Sequence, residues 1–225
     1  MDSSVLGPLS PPASDILSSP ARLEALRRTA LMDSPAEEAF DRLTRLASRL
    51  LGTQVAICTL FDAERHFFKS VWGLPVEDAT SRQRPLALSF CQLAAVQGGP
   101  LIIPDTRQDE RLKDHPGVRD FNIASYLGIP LITSEGHALG TFCVFDPHTR
   151  VWREEEIQAA KDLAAVVMTE IEMRTLAQEA QQRAALAQGR RRVPRRWRRA
   201  TRSSTGSPRR ARGCASGWCR WCPMT

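Results

Sequence analysis

The side chains able to do chemistry in this chain are few and mostly apart. Cys58, Cys91 and Cys143 each lie inside an apolar run, with no Cys-x-x-Cys spacing. Thiol catalysis needs an exposed thiolate with a lowered pKa. Cys91 follows Phe90 near the start of a predicted helix, which could lower its pKa; Cys143 falls inside a predicted central strand and reads as inert core. His66, His115, His137 and His148 do not cluster and read as surface residues with no metal role. Asp105, Arg107, Asp109 and Arg111 alternate in sign. They could form a polar lid that offers arginine to an anionic ligand. The favoured reading is local ion pairing, each pair worth under about 1 kcal/mol. Trp72 and Tyr126 could line a pocket, although aromatic residues in strands more often belong to core. No Ser-His-Asp arrangement, P-loop or dinucleotide fingerprint is present.

The elements that must position these groups centre on one hairpin. Ala124–Ile132 and Leu139–Asp146 are apolar runs joined by a polar turn containing Gly136. Alternation within each run predicts Tyr126, Ile132, Phe142 and Val144 on one face. It predicts Leu127, Ile129, Leu131, Cys143 and Phe145 on the other. A sheet apolar on both faces must be covered on both, by helices on one side and by loops that can enclose a ligand on the other. Upstream, a short helix is predicted over 21–31. Ser34-Pro-Ala-Glu37 has the form of a capping box opening a helix to about Leu51, with Phe40, Leu43, Ala47 and Leu50 as its buried stripe and Gly52 as its stop. Val55–Phe61 and His66–Trp72 read as paired strands, 74–88 as loop, and Ser89–Gln97 as a short helix capped by Ser89. Leu101–Ile103 reads as a strand, Thr106–Lys113 as one or two helical turns, and 114–123 as loop. Arg153-Glu-Glu-Glu opens a long helix whose stripe is Ala160, Leu163, Val167 and Ile171. Beyond Met173 only Leu176 and Leu186 are strongly apolar, which predicts a solvated helix or weak coiled coil.

The formal charge of +6 is misleading as a guide to partners. Residues 189–225 hold 12 Arg and no acid, which leaves the first 188 residues at a net charge of −6. That acidic body gives no reason to expect nucleic-acid binding. The tail contains no Leu, Ile, Phe, Asp, Glu or Lys. It reads either as an arginine arm for nucleic acid or anionic membrane, or as the product of a frameshift in a GC-rich gene; the abrupt loss of Leu and acids in mid-helix favours the frameshift. Cys214, Cys219 and Cys222 lack the fourth ligand of a structural zinc site. No apolar run reaches the roughly 20 residues of a membrane span, no signal peptide is evident, and three body cysteines in apolar runs without Cys-x-x-Cys spacing point to a reducing cytoplasm. The expected organisation is a disordered 1–20, a folded 21–175, a helical linker 176–188 and the tail 189–225.

From Ala21 to Gln182 the chain resembles a bacterial GAF domain of the kind found at the front of sensor proteins. The likeness rests on ordered landmarks: Arg22-Leu-Glu-Ala-Leu-Arg, Leu31-Met-Asp-Ser-Pro, Phe67-Phe-Lys-Ser-Val-Trp-Gly-Leu, Ser89-Phe-Cys, Pro104-Asp-Thr-Arg, Tyr126-Leu-Gly-Ile-Pro-Leu and Leu139-Gly-Thr-Phe-Cys-Val-Phe-Asp. Leu93 stands where relatives commonly carry His, two places after the Cys. The resemblance implies an α+β fold. Its central antiparallel sheet would have five or six strands, with the terminal helices on one face and loops on the other. It further implies a non-enzymatic sensory module with no cofactor, an unidentified small-molecule ligand, and a homodimer through the terminal helices. The output domain would be a histidine kinase, diguanylate cyclase or serine phosphatase, moved by a shift of the 153–188 helix. Trp72, Phe90, Cys91, Asp105, Arg111, Tyr126 and Phe142 are the candidate pocket residues. The alternative is a Cys-dependent redox enzyme of the free-methionine sulfoxide reductase type, with Cys91 as nucleophile. Bilin attachment would want a Cys-His pair, and cyclic-nucleotide binding an Asn-Lys motif; neither is present.

Overall fold

In the computed structural model of the chain, residues 12–75 and 81–192 are described. The start of the expected disordered segment and nearly all of the arginine tail lie outside them. Six strands form one antiparallel sheet: β1 Val55–Phe61, β2 Arg65–Trp72, β3 Gln83–Pro85, β4 Leu101–Ile103, β5 Ser125–Ile132 and β6 Ala138–Asp146, in the order β3-β2-β1-β6-β5-β4. The helices are α1 Pro12–Ser18, α2 Pro20–Thr29, α3 Glu38–Leu51, α4 Gln92–Gln97, α5 Pro116–Asp120 and α6 Glu154–Arg192. The fold is therefore the expected α+β arrangement. No described helix is long and apolar enough to cross a membrane.

The chain divides after Glu179 into two units. The first holds the sheet and all the helices up to that residue. Of the second, residues 180–192 are described and helical, with exposed side chains through residue 188.

One sheet face carries Ala56, Cys58, Leu60, Leu127, Ile129, Phe142 and Val144 against α2, α3 and α6, whose Leu26, Phe40, Ala160, Leu163 and Val167 close that core. Each Leu, Ile, Val or Phe among them contributes about 1.5–3 kcal/mol on leaving water, before entropy is charged. The α3 stripe is rotated from the expected one: Phe40, Thr44, Ala47, Ser48 and Leu51 are buried, whereas Leu50 is 60% exposed. Polar Thr44 and Ser48 can face inward because Thr44 Oγ1 meets Ser70 Oγ at 2.8 Å and Ser48 donates to the Thr53 carbonyl at 2.6 Å. Reading apolar residues alone misses positions satisfied in this way.

The expected capping box does not form. The helix starts at Glu38 with Glu37 at the cap position. Ser34 instead donates to the Leu31 carbonyl and accepts from Lys69, and the Glu37 carboxylate is taken by Lys69 and by Arg174 of α6. Lys69 reaches them from a bulge in β2: Cys58 faces Ser70 and Thr59 faces Phe68, so Lys69 is the extra residue. One half of such a box forms at α6, where the Glu156 carboxylate accepts the Arg153 amide at 2.8 Å.

Arg22 of α2 is buried at 2% exposure and donates to the carbonyls of Leu17, Phe61, Asp62 and Ala138. Burial lowers its pKa despite the nearby Asp62 carboxylate. These bonds tie the N-terminal helices to the edges of β1 and β6. They also explain why residues 12–18, assigned from sequence to a disordered segment, are helical: Leu17 is buried with Phe61, Ala95 and Ala138 while its carbonyl receives the guanidinium.

Candidate functional site

The loop-side face of the sheet is where the sequence places a pocket. Strand alternation on this face is as expected, but the phase between β5 and β6 differs. Tyr126 lies opposite Phe145, Leu127 opposite Val144, Gly128 opposite Cys143 and Ile129 opposite Phe142. Residues directly opposite share a face. Tyr126 therefore sits with Cys143 and Phe145 on the loop side, and Phe142 and Val144 sit with Leu127 and Ile129 on the helix side. The phase is set by the Thr133–His137 turn and by an irregularity at Leu131/Ile132, and alternation within single strands cannot reveal it.

Segments 86–97 and 104–124 cover this face. A 3-10 turn, Leu86–Leu88, delivers Ser89, Phe90 and Cys91 onto the sheet, and Cys91 leads α4. The Thr141 hydroxyl donates to the Cys91 carbonyl at 3.1 Å, pinning that turn to β6. Phe90 meets Tyr126 edge-on at 4.9 Å and His115 at 5.5 Å. Leu93, Ala94, Leu112, Val118 and Ile123 complete the cluster, so side chains fill the space between loops and sheet.

Polar groups collect at the floor of this cluster. The Tyr126 ring lies along its own strand over Gly128, where an added Cβ would be 2.4 Å from the hydroxyl. Because Gly128 faces Cys143 across the ladder, that hydroxyl is held beside the Cys143 thiol. The Cys91 thiol is within interaction reach of Cys143, Tyr126 and Ser89. The Tyr126 and Ser89 hydroxyls nevertheless have no hydrogen bond of good geometry among the described residues. Interaction with the Cys143 thiol, outweighing burial, lowers the pKa of Cys91. Cys143 is pushed well up, first by Cys91 and then by burial. Burial raises Tyr126 as well. On the opposite face, burial pushes Cys58 up to about 12.

Of the seven candidate residues, the structure brings together Phe90, Cys91 and Tyr126. Phe142 is on the other face. Trp72 is at the far end of β2, 38% exposed, with the Arg45 guanidinium 6.0 Å from its ring centre. Asp105 pairs with Arg107 at 2.9 Å, which holds its carboxyl down at about 2, and Arg111 pairs with Asp109. Each arginine of the alternating segment is thus engaged by its own neighbouring aspartate. Ser89, Thr141, Gly128 and the partnership of Cys143 with Cys91 were not singled out from sequence as parts of this site. The correct strand phase would have placed Thr141 and Cys143 there together.

The histidines also depart from expectation. His66 is buried at 3% exposure, edge-on to Phe68 at 4.9 Å, and neither ring nitrogen finds a partner among the described residues. His115 accepts the Gly117 amide at 3.1 Å and so caps α5, a helix inside the segment read as loop. Among the described residues no group of three His, Cys, Asp or Glu side chains could hold a metal ion. A separate groove of about 280 Å³ lies between α2, the β5–β6 turn and α6, lined by Ala25, Thr29, Leu139, Met168 and Leu176 among others.

Comparison with known proteins agrees with this architecture. A family model described as GAF domain matches residues 35–171. A cyclic di-GMP phosphodiesterase of Pseudomonas aeruginosa is 32% identical over 143 residues, 63% of this chain; the chain spans 24% of that protein. The GAF domain of an Acinetobacter phosphoenolpyruvate-protein phosphotransferase superposes with a TM-score of 0.50 at 17% identity, covering 72% of this chain and 97% of that one. The blue-light absorbing form of the Thermosynechococcus elongatus PixJ GAF domain gives 0.51 at 17%, covering 74% and 95%.

Proposed function

The chain belongs to the GAF-domain family, and from that premise we propose that it is a non-enzymatic input module of a bacterial signalling protein. The observation that carries the proposal is the match to a quarter-length segment of a cyclic di-GMP phosphodiesterase, which supports an output acting on that nucleotide. The signal would reach the output through α6. Three ion pairs support that route within the first unit: Arg174 of α6 and Lys69 of the sheet share Glu37, and Arg28 of α2 holds Glu179 at 2.8 Å. An input moves an output only by favouring one of two states of the connecting element. The reading includes a homodimer through the terminal helices, supported by the exposure of Leu46 and Leu50 on α3 and of Val166, Met173 and Leu176 on α6. It places the module in the cytoplasm, where its thiols stay reduced.

The test is a chimera. Residues 1–188 replace the matching segment of the Pseudomonas phosphodiesterase, and cyclic di-GMP hydrolysis is measured with the native module, with Arg174→Ala and with the segment deleted. The expected result is a several-fold rate change on Arg174→Ala. Equal rates in all three would overturn the proposal. Light scattering of the isolated chain tests the dimer, and a monomer at high micromolar concentration counts against it.

A further inference from the structure

We infer that Cys91 and Cys143 form a peroxide-reactive dithiol on the loop face, in which Cys91 is oxidised first and Cys143 resolves it to a disulfide. The inference adds a chemical signal to the input-module reading, but it rests on the geometry of the loop face and not on any output.

One constraint brings the thiols together, and a second sets a hydroxyl beside them. Thr141 binds the Cys91 carbonyl at 3.1 Å, and Thr141 and Cys143, two residues apart on β6, share the loop face. Gly128 leaves room for the Tyr126 side chain to lie over it, which puts the Tyr126 hydroxyl beside Cys143 from the neighbouring strand. The two residues differ in place: Cys91, in the turn before α4, is half-buried as a residue, and Cys143, inside β6, is 1% exposed. The outer residue, Cys91, is therefore assigned the first reaction.

The unpartnered hydroxyls are the second line of argument. Tyr126 is 0% and Ser89 2% exposed, and each leaves its oxygen without a well-aligned partner. A buried donor left unused is costly to the fold. Both face Cys91. Oxidation there creates a sulfur-bound oxygen, an acceptor that the reduced site lacks, and the two hydroxyls are placed to donate to it.

The chemistry balances. The Cys91 thiolate attacks one oxygen of the hydroperoxide; the S–O bond forms, the O–O bond breaks, and the departing alkoxide or hydroxide takes up a proton. The Cys143 sulfur then attacks the Cys91 sulfur; the S–S bond forms, the S–O bond breaks, and hydroxide leaves with the Cys143 proton as water. Two thiols lose two electrons, and the hydroperoxide becomes an alcohol, or water, plus water. The disulfide fastens the turn before α4 to the central strand.

The three thiols of the folded unit fall on different tryptic peptides, with Cys91 within Gln83–Arg107 and Cys143 within Asp120–Arg150. The full chain is reduced, freed of reductant, treated with one equivalent of hydrogen peroxide, alkylated and mapped by mass spectrometry. The expected product is those two peptides joined, with Cys58 still alkylated and reacting roughly tenfold or more slowly, as a thiol held protonated by burial should. Cys143→Ser should stop at a Cys91 sulfenic acid trapped by dimedone, and Cys91→Ser should leave Cys143 reduced. In the unmutated chain, failure to find the linked peptide, whether Cys91 stays a thiol, proceeds to sulfinic acid or links to Cys58, overturns the inference. Neither result depends on the phosphodiesterase chimera, so the two readings can fail separately.

Discussion

His66 should make this domain unusually sensitive to mild acid. Burial, aided by the Arg84 charge, lowers its pKa from 6.5 to about 4. The sign follows from which state binds the proton more readily. Above pH 6.5 both folded and unfolded chains hold a neutral imidazole, and the residue contributes no pH dependence. As the pH falls below 6.5 the unfolded chain takes the proton and the folded one does not, so stability is lost progressively; the loss levels off below about pH 4. The interval corresponds to about 3 kcal/mol in full, of which about 2 kcal/mol is already gone at pH 5. That is a large fraction of the 5–15 kcal/mol typical of a domain. Other groups titrate over the same range, so the measurement is a difference. Urea unfolding of the native chain and of His66→Leu is compared at pH 7.5, 6.0 and 5.0. Leucine matches the apolar neighbours and removes two ring nitrogens that have no partner among the described residues. The variant should be at least as stable at pH 7.5, and its advantage should grow by about 2 kcal/mol by pH 5. Parallel pH profiles for the two proteins would refute the argument, because they would mean that the folded imidazole accepts its proton as easily as the unfolded one.

Gly128→Ala puts a methyl 2.4 to 2.7 Å from the Tyr126 hydroxyl and ring. It should cost about 1–3 kcal/mol and lower the melting temperature by several degrees. Adding Tyr126→Ala should make the double variant less damaged than the sum of the singles, and strict additivity of the melts would contradict the contact. Arg22→Met strips the donor from four backbone carbonyls and should destabilise by more than about 3 kcal/mol in urea titration; a loss under 1 kcal/mol would show that water replaces it freely. Glu37→Gln leaves the Lys69 and Arg174 cations facing each other without a counterion. It should cost about 2 kcal/mol, between exposed and buried pairs, and Lys69→Met in the same chain should recover most of it. An unimproved double variant, measured the same way, would argue against that triad.

Much of the fold was legible because its signals are local. The β5–β6 hairpin carries Gly136 at positive φ in its turn, α3 stops at Gly52 at φ 61°, and α6 opens on three glutamates. Misreadings occurred where a distant partner decides the outcome. Ser34 and Glu37 have the local form of a capping box, yet Lys69 and Arg174, far away in sequence, draw their side chains elsewhere. His66 reads as a surface residue because a histidine in a strand beside charged Arg65 gives no warning that β3 will pair alongside, with Arg84 opposite it. The loop-side site was half legible. Phe90, Cys91 and Tyr126 were identified by type, but Cys143 passed as inert and Phe142 was put on the wrong side, both through a strand phase fixed by the turn. For Asp105 and Arg111 the favoured reading, local ion pairing, is what forms: each is joined to a neighbour two residues away.

The bulge at Lys69 has one more implication. Without that residue, Phe68 and Ser70 would follow one another as ordinary neighbours, still opposite Thr59 and Cys58. The β1–β2 ladder would close with its pairing intact. Lys69 is thus a removable stitch in the sheet, and excising it would sever the polar strut from β2 to the α2–α3 connection and α6 while leaving the weave of β1 and β2 whole.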